Sequence, residues 1–142
     1  MAGLQISIKN IIENRYTVDT TIIEDPNIPL ATRIGYELIV DSSNEILTTL
    51  MEIAYETEDK RIAVSLLFSY VLKVAGINEL KVESLSDTKA DYNFPKTFLE
   101  KLITDVYATG RVLMSNHIKG TRLEGLFLPF GGAEGIIEHL NN

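Results

Sequence analysis

The segment from Pro95 to Pro129 constrains the fold most, because it joins a long amphipathic stretch to an apolar loop. Large apolar residues recur in it at steps of three and four, the spacing of one helix face. They are Phe98, Leu99, Leu102, Ile103, Val106, Leu113, Met114 and Ile118. A proline at the start costs a helix no hydrogen bond, and Gly120 can adopt the left-handed conformation that ends one. The segment therefore predicts a helix of about 23 residues with one stripe to be covered.

The loop after this helix is unusually apolar. It contains Leu123, Leu126, Phe127, Leu128 and Phe130. Exposed apolar segments of this kind mark interaction sites, so we expect the loop to pack on another surface. A short helix from about Ala133 to Leu140 follows, and its few apolar residues require support from the rest of the chain.

The first 75 residues are predicted to form strands. From Leu4 to Glu24 the chain is rich in β-branched residues and alternates at Ile6 and Ile8 and again at Val18, Thr20 and Ile22. The adjacent pair Ile11 and Ile12 breaks this alternation, which indicates a bulge or a change of face within one strand. The proline-containing stretch from Asp25 to Pro29 then ends the strand, since each proline removes a backbone donor.

Three further strands are predicted before residue 78. The second runs from Thr32 to Asp41, and the stretch from Asp41 to Asn44 has the composition of a turn. The third runs from Ile46 to Tyr55 and the fourth from Ile62 to Val74, and together they form the clearest hairpin. Residues 78–93 lack a sustained period and are predicted to form a connection that could include a short helical turn. The predicted fold is therefore α+β, a four-stranded antiparallel sheet with the long and the short helix packed on one face.

Length and composition indicate one folded domain spanning residues 1–142. Hydrophobic residues make up 45% of the chain and charged residues 23%, which excludes an intrinsically disordered chain. No run approaches the roughly 20 apolar residues of a membrane helix, and the N-terminus lacks a signal-peptide pattern, so we expect a cytoplasmic protein without membrane insertion. The formal net charge of −7, with 13 scattered Lys and Arg, disfavours nucleic acid as a partner. Cysteine is absent, which excludes disulfides and thiolate chemistry.

Side chains that would carry catalysis are sparse. The two histidines, His117 and His139, have no ligand-type residue at the spacing of a helical metal site, and no G-x-S-x-G motif occurs. A position near the end of the long helix favours the charged form of His117, which is a structural role. The glycine-rich stretch 131–135 could cradle an anion but is read as a hinge, because the lysine and hydroxyl of a P-loop are missing. We therefore predict no catalytic residue, no metal site, no cofactor and no enzyme activity.

Large apolar side chains occur on both strand faces and again in the loop after the long helix, in excess of the needs of one core. Apolar surface of this kind marks protein interaction sites. Packing between copies of the chain could bury all of this apolar surface. Alternatively, copies assemble and leave an apolar groove open.

The order of elements resembles the SecB family of export chaperones, and several local strings carry the resemblance. The strings Tyr16-Thr17-Val18-Asp19 and Glu24-Asp25-Pro26-Asn27-Ile28-Pro29 are similar to the opening strand of that family. Val74-Ala75-Gly76-Ile77 resembles the turn after its fourth strand. Arg111, Lys119-Gly120-Thr121 and Leu128-Pro129 resemble the end of its main helix and the start of its lid loop.

This resemblance implies a homo-oligomer, a dimer or a tetramer built of two dimers, that binds non-native polypeptide in apolar grooves without ATP. The client-binding residues implied by analogy are Tyr36, Leu38, Leu47, Leu50, Phe68, Tyr70, Leu126, Phe127, Phe130 and Ile136. Asp19 and Glu24 match acidic positions where the family docks the SecA motor, while Ser65 stands where the fourth strand of the family carries an acidic residue. The alternatives are a chaperone dedicated to one partner, such as an antitoxin, and an adaptor or structural protein of the same fold.

Overall fold

One antiparallel sheet with strand order β1-β4-β3-β2 forms the centre of the fold, in a computed structural model that describes residues 4–82, 91–126, 128 and 132–140. The main elements along the chain are β1 (Gln5–Val18), α1 (Thr20–Glu24), β2 (Ala31–Asp41), β3 (Ile46–Glu56), β4 (Ile62–Ala75), α2 (Lys96–His117) and α3 (Ala133–Leu140). The two longer helices, α2 and α3, pack on one face of the sheet. The predicted α+β fold is confirmed.

The hairpin of β3 and β4 supplies the centre of the core. Met51 lies opposite Phe68 and Ile53 opposite Leu66, and all four side chains are fully buried. Since side chains alternate between the two faces of a strand, these residues point toward the helices and their neighbours toward the uncovered face. The predicted hairpin is confirmed, with β3 and β4 each one residue longer at the C-terminal end.

β1 is an edge strand that pairs with β4 and contains two irregularities. Its register with β4 shifts between Ile8 and Asn10 and again between Glu13 and Arg15. The predicted disruption at the Ile11-Ile12 pair lies between these two bulges, and the bulge prediction is confirmed. Each bulge adds a residue to β1 and changes which side chains face α2.

The first strand ends earlier than predicted, because α1 begins where strand alternation was expected to continue. The Asp19 carboxylate accepts hydrogen bonds from the backbone N–H groups of Thr21 and Ile22 at 3.0 and 3.3 Å. This cap satisfies two of the otherwise unpaired donors at the start of a helix. The predicted strand face through Val18, Thr20 and Ile22 was therefore wrong, and the adjacent residues Ile22 and Ile23 are both buried instead.

The connection predicted at residues 78–93 contains a small amount of regular structure. A 3-10 turn covers Ile77–Leu80, and two short strands, β5 (Lys81–Val82) and β6 (Asp91–Tyr92), pair with each other. The predicted turn after β2 is confirmed by Asp41, whose carboxylate accepts a hydrogen bond from the backbone N–H of Asn44 at 3.3 Å.

α2 covers the sheet and approaches it most closely at Gly110. A Cβ atom at this position would lie 2.6 Å from Cδ1 of Ile53 and 2.9 Å from Cε1 of Phe68. Such distances are shorter than carbon atoms tolerate, so a larger residue at position 110 would force the helix or these two side chains to shift. The predicted end of the helix before Gly120 is also confirmed, since α2 ends at His117 with Ile118 as its C-cap. Gly120, two residues further on, has a left-handed φ of +80°.

The segment after α2 folds back onto the core. Leu123 and Leu128 are buried, which confirms the expectation that this apolar loop packs on another surface. Phe127, Pro129 and Phe130 lie outside the described residues. Among the helices in the described ranges, none combines the length and apolarity needed to cross a membrane.

We predict that Gly110→Ala lowers the free energy of unfolding by about 1–3 kcal/mol, the usual cost of overpacking a core. Alanine is the better helix former by about 1 kcal/mol, but Ile53 and Phe68 are fully buried and have no free space into which to retreat. Urea denaturation followed by circular dichroism measures the change.

Gly135→Ala is the matched control, because Gly135 also lies in a helix but has no atom within 4 Å of an added Cβ. This variant should be neutral or slightly more stable than the wild type. Equal stability of Gly110→Ala and the wild type would contradict the close approach of α2 to the sheet.

Candidate functional site

An open groove of about 490 Å³ lies between β2, α2 and α3. Thr32, Ile34 and Tyr36 of β2 form one side, since alternate residues of a strand share a face. The other lining residues are Tyr107 of α2 together with Gly132, Gly135 and Ile136 at α3. The size falls within the range of known ligand sites, and none of these lining residues carries an acidic or basic side chain.

The hydroxyls of Thr32 and of several tyrosines provide the polar side-chain groups in and beside the groove. Burial raises the pKa of Tyr36, and burial also raises the pKa of Tyr107 against a smaller opposing effect of the nearby Arg111 charge. The pKa of Tyr55, next to Tyr107, is raised by burial and then by Tyr107 itself. All three phenols stay neutral at physiological pH. The groove can therefore bury apolar side chains and offer hydroxyl hydrogen bonds, and its described lining residues are uncharged.

Two of the client-binding residues implied by the resemblance line this groove, namely Tyr36 and Ile136. Leu38 follows on the same face of β2 and is half-buried. Leu126 is 45% exposed, and its backbone carbonyl accepts a hydrogen bond from the Tyr55 hydroxyl at 3.3 Å. Phe127 and Phe130 lie outside the described residues.

Four of the implied client-binding residues lie elsewhere. Leu47 and Phe68 are fully buried between the sheet and α2, and Tyr70 is 3% exposed with its hydroxyl hydrogen-bonded to Asp105. Leu50 lies on the uncovered face, because its strand neighbours Thr49 and Met51 are buried on the helix side. The resemblance pointed to large apolar residues on these strands but did not distinguish residues of the buried core from residues that line the groove.

Sequence reasoning did not assign Thr32, Ile34, Tyr107 or the two glycines to the groove. Ile34 carried a usable signal, since it shares a strand face with Tyr36 and Leu38. Tyr107 gave no such signal. Its place in the groove depends on the rotation of α2, which the contact at Gly110 sets.

The two residues implied for motor docking lie at opposite ends of α1. Asp19 uses its carboxylate to cap the helix, whereas Glu24 is exposed at the last helical position. Nearby on the uncovered face, Glu52 pairs with Arg15 at 3.4 Å and with Arg33 at 3.1 Å. Arginine therefore neutralises part of the acidic surface on this side.

A second apolar surface lies along β1. Ile6 is 44% exposed and Ile8 56% exposed, and both line a depression of about 310 Å³ against Phe98 and Leu102 of α2. This depression differs from the groove because two charged residues, Lys101 and Asp105, also line it.

His117 joins the end of α2 to β1. Its Nε2 lies 2.7 Å from Oε1 of Glu13, and its ring stacks on Tyr16 with centroids 4.0 Å apart. These contacts agree with the structural role predicted for His117. Nothing is described of the His139 side chain. In the described part of the chain, no three His, Cys, Asp or Glu side chains are grouped so that they could hold a metal ion.

Comparison with known proteins identifies no family. No protein-family model matches the chain, and no curated protein matches it. Among solved structures, the chain is similar to a protein of unknown function from Streptococcus agalactiae, with 12% identity and a TM-score of 0.39. The match covers 83% of this chain and 90% of the other.

We predict that alkaline pH destabilises the protein partly through Tyr70. Burial, and next the hydrogen bond to Asp105, raise the pKa of Tyr70 well above its ordinary value near 10. Because the folded state favours the neutral phenol, this contribution to stability is complete below about pH 10 and is lost as the pH rises further.

The unfolding free energy of Tyr70→Phe should therefore fall less steeply with pH between about 9 and 11 than that of the wild type. Tyr92→Phe keeps the Tyr70 hydroxyl and should retain the wild-type slope. Equal slopes for Tyr70→Phe and the wild type would contradict the assignment. Denaturant titrations at each pH provide the measurement.

Proposed function

We propose that this chain is an ATP-independent holdase chaperone that binds unfolded or non-native polypeptide in the groove between β2, α2 and α3. The observation that carries the proposal is the chemistry of the described lining residues, which are two isoleucines, two tyrosines, a threonine and two glycines, none of them charged. A non-native chain exposes apolar side chains of varied sequence, and an open, uncharged groove accepts them without requiring one particular partner. The resemblance to the SecB family supports the same function.

The proposed mechanism is passive. Burial of apolar surface contributes about 25 cal/mol per Å², so a few client side chains in the groove would slow collapse and aggregation without nucleotide. Weak binding at one groove becomes strong when an oligomer presents several grooves to one chain. The proposal includes a cytoplasmic location and no catalytic step. Docking of SecA rests on the resemblance alone, because Asp19 already serves as a helix cap.

Self-association is part of the proposal, and β1 supplies the observation that favours it. This edge strand exposes Ile6, Ile8, Ile11 and Ile12, and its outer backbone groups have no strand partner among the described residues. Long apolar edges of this kind pair with other strands unless they are covered. The same observation favours the second candidate function, an adaptor or structural protein whose apolar surfaces serve only fixed assembly. A chaperone dedicated to one partner, such as an antitoxin, is a narrower form of the first candidate function, the holdase.

Aggregation of a chemically unfolded test protein separates the two candidates. We predict that an equimolar amount of this protein suppresses light scattering after dilution from denaturant, and that Tyr36→Ser and Ile136→Ser weaken the suppression. Ile39→Ser is the matched control, because Ile39 is exposed on the same strand but on the uncovered face. Absence of suppression at several-fold excess would exclude the holdase, and equal activity of all three variants would exclude this groove.

Mass in solution tests the assembly. We predict a dimer or tetramer by analytical ultracentrifugation, and dissociation in a variant that combines Ile8→Lys with Ile11→Lys on β1. Ile39→Lys places one added positive charge on the opposite edge strand and should leave the mass unchanged. A monomeric wild type would contradict self-association.

A further inference from the structure

One arginine joins three separate backbone carbonyl groups. Nε of Arg122 donates to the carbonyl of Ile23, and Nη2 donates to the carbonyls of Ile22 and Ile28 at 3.3 and 3.4 Å. Ile22 and Ile23 belong to the last turn of α1, where the helix leaves carbonyls with spare acceptor capacity, and Ile28 lies in the proline-containing loop. The Ile22 carbonyl also accepts a hydrogen bond from the backbone N–H of Asp25 at 3.3 Å. The planar guanidinium has five N–H donors in a rigid arrangement, which suits several acceptors at once. Arg122 therefore binds the end of α1 and the following loop together.

Hydrogen bonds and burial also fix the residues around Arg122. We call residues 118–126 the strap. Within it, the Thr121 hydroxyl donates to the carbonyl of Ile118 at 2.7 Å and accepts from the N–H of Leu123 at 3.1 Å. Leu123 is buried in the core. At the far end, the carbonyl of Leu126 accepts from the Tyr55 hydroxyl of β3. The strap is thus fixed to α1 at Arg122 and to the sheet at Tyr55.

The strap ends beside the groove. Tyr55 lies opposite Thr32 in the sheet. Its pKa is raised by burial and, to a smaller extent, by Tyr107. Thr32 and Tyr107 both line the groove. Gly132 follows the end of the strap by six residues, which span at most about 20 Å, and Leu128 between them is buried. The position of the strap therefore limits where the α3 wall of the groove can lie.

We propose that Arg122 is a positioning residue of the groove: by holding the strap against α1, it sets the position of α3 and hence the width of the groove. α1 lies outside the groove, and Arg122 makes the groove wall dependent on whether α1 is folded. The identity of the ligand in the groove rests on the proposed function. The structural link from α1 to α3 does not depend on that function.

Amide hydrogen exchange of the full chain tests this link without any ligand. In Arg122→Ala, exchange in the strap and in α3 should become about ten-fold faster, as expected for the loss of hydrogen bonds to a charged donor, while β3 and β4 keep their protection. Arg122→Lys should be intermediate, since one ammonium group cannot reproduce the planar fork. Arg61→Ala is the control, because Arg61 pairs with Asp59 in the turn after β3, and it should leave α3 unchanged. Unchanged exchange in α3 of Arg122→Ala would overturn the proposal, even if the strap itself exchanged faster.

A change at α1 that leaves Arg122 intact tests the same link from its other end. Asp19→Ala removes the cap of α1, so the carbonyls of Ile22 and Ile23 should leave Arg122 and exchange in α3 should rise. Asp19→Asn keeps a capping oxygen and should preserve wild-type exchange, as should Glu24→Ala at an exposed position. Wild-type protection of α3 in Asp19→Ala would overturn the coupling.

Binding of an unfolded test protein separates this proposal from the proposed function. If the wild type binds it, Arg122→Ala should bind about ten-fold more weakly under conditions where both proteins are fully folded. Wild-type affinity in that variant would overturn the positioning role. If the wild type does not bind, the proposed function fails, and the exchange of α3 still decides the role of Arg122.

Discussion

The close approach of α2 to the sheet at Gly110 determines the rest of the structure. At this point the helix backbone lies against Ile53 and Phe68, where any larger residue would collide. The contact sets both the distance of α2 from the sheet and the rotation of α2 about its axis, so that Leu102, Ile103 and Val106 are buried beneath it. The same rotation turns Tyr107 toward β2 and exposes Asp105 toward β1.

Two apolar surfaces remain because one helix cannot cover four strands. α2 lies over the inner strands β3 and β4, so the edge strands keep partly exposed apolar residues. On the β2 side, α3 approaches without closing the space and leaves an uncharged groove. On the β1 side, no element among the described residues covers Ile6 and Ile8. The proposed division assigns client binding to the first surface and self-association to the second.

The sequence predicted the regular elements well, because helix and strand periods are local. It predicted the limits of α2 from Pro95 and Gly120, and the bulged first strand from the Ile11-Ile12 pair. It missed α1, since the cap by Asp19 competes with a strand-like alternation that continues to Ile22. The site was less predictable: Leu47 and Phe68 look like groove residues by composition, but α2 covers them. Tyr107 could not be assigned without the depth and rotation of α2, which depend on a contact between distant parts of the chain.

Site-specific photo-crosslinking tests most directly whether the groove binds non-native polypeptide. A photoreactive amino acid at position 34 lies inside the groove, and the same amino acid at position 39 lies on the uncovered face of the same strand. Each protein is illuminated during refolding of a labelled, chemically unfolded test protein. We predict crosslinks from position 34 that are lost once the test protein has folded, and few from position 39. Equal crosslinking from both positions, or crosslinking from position 39 alone, would contradict binding in the groove.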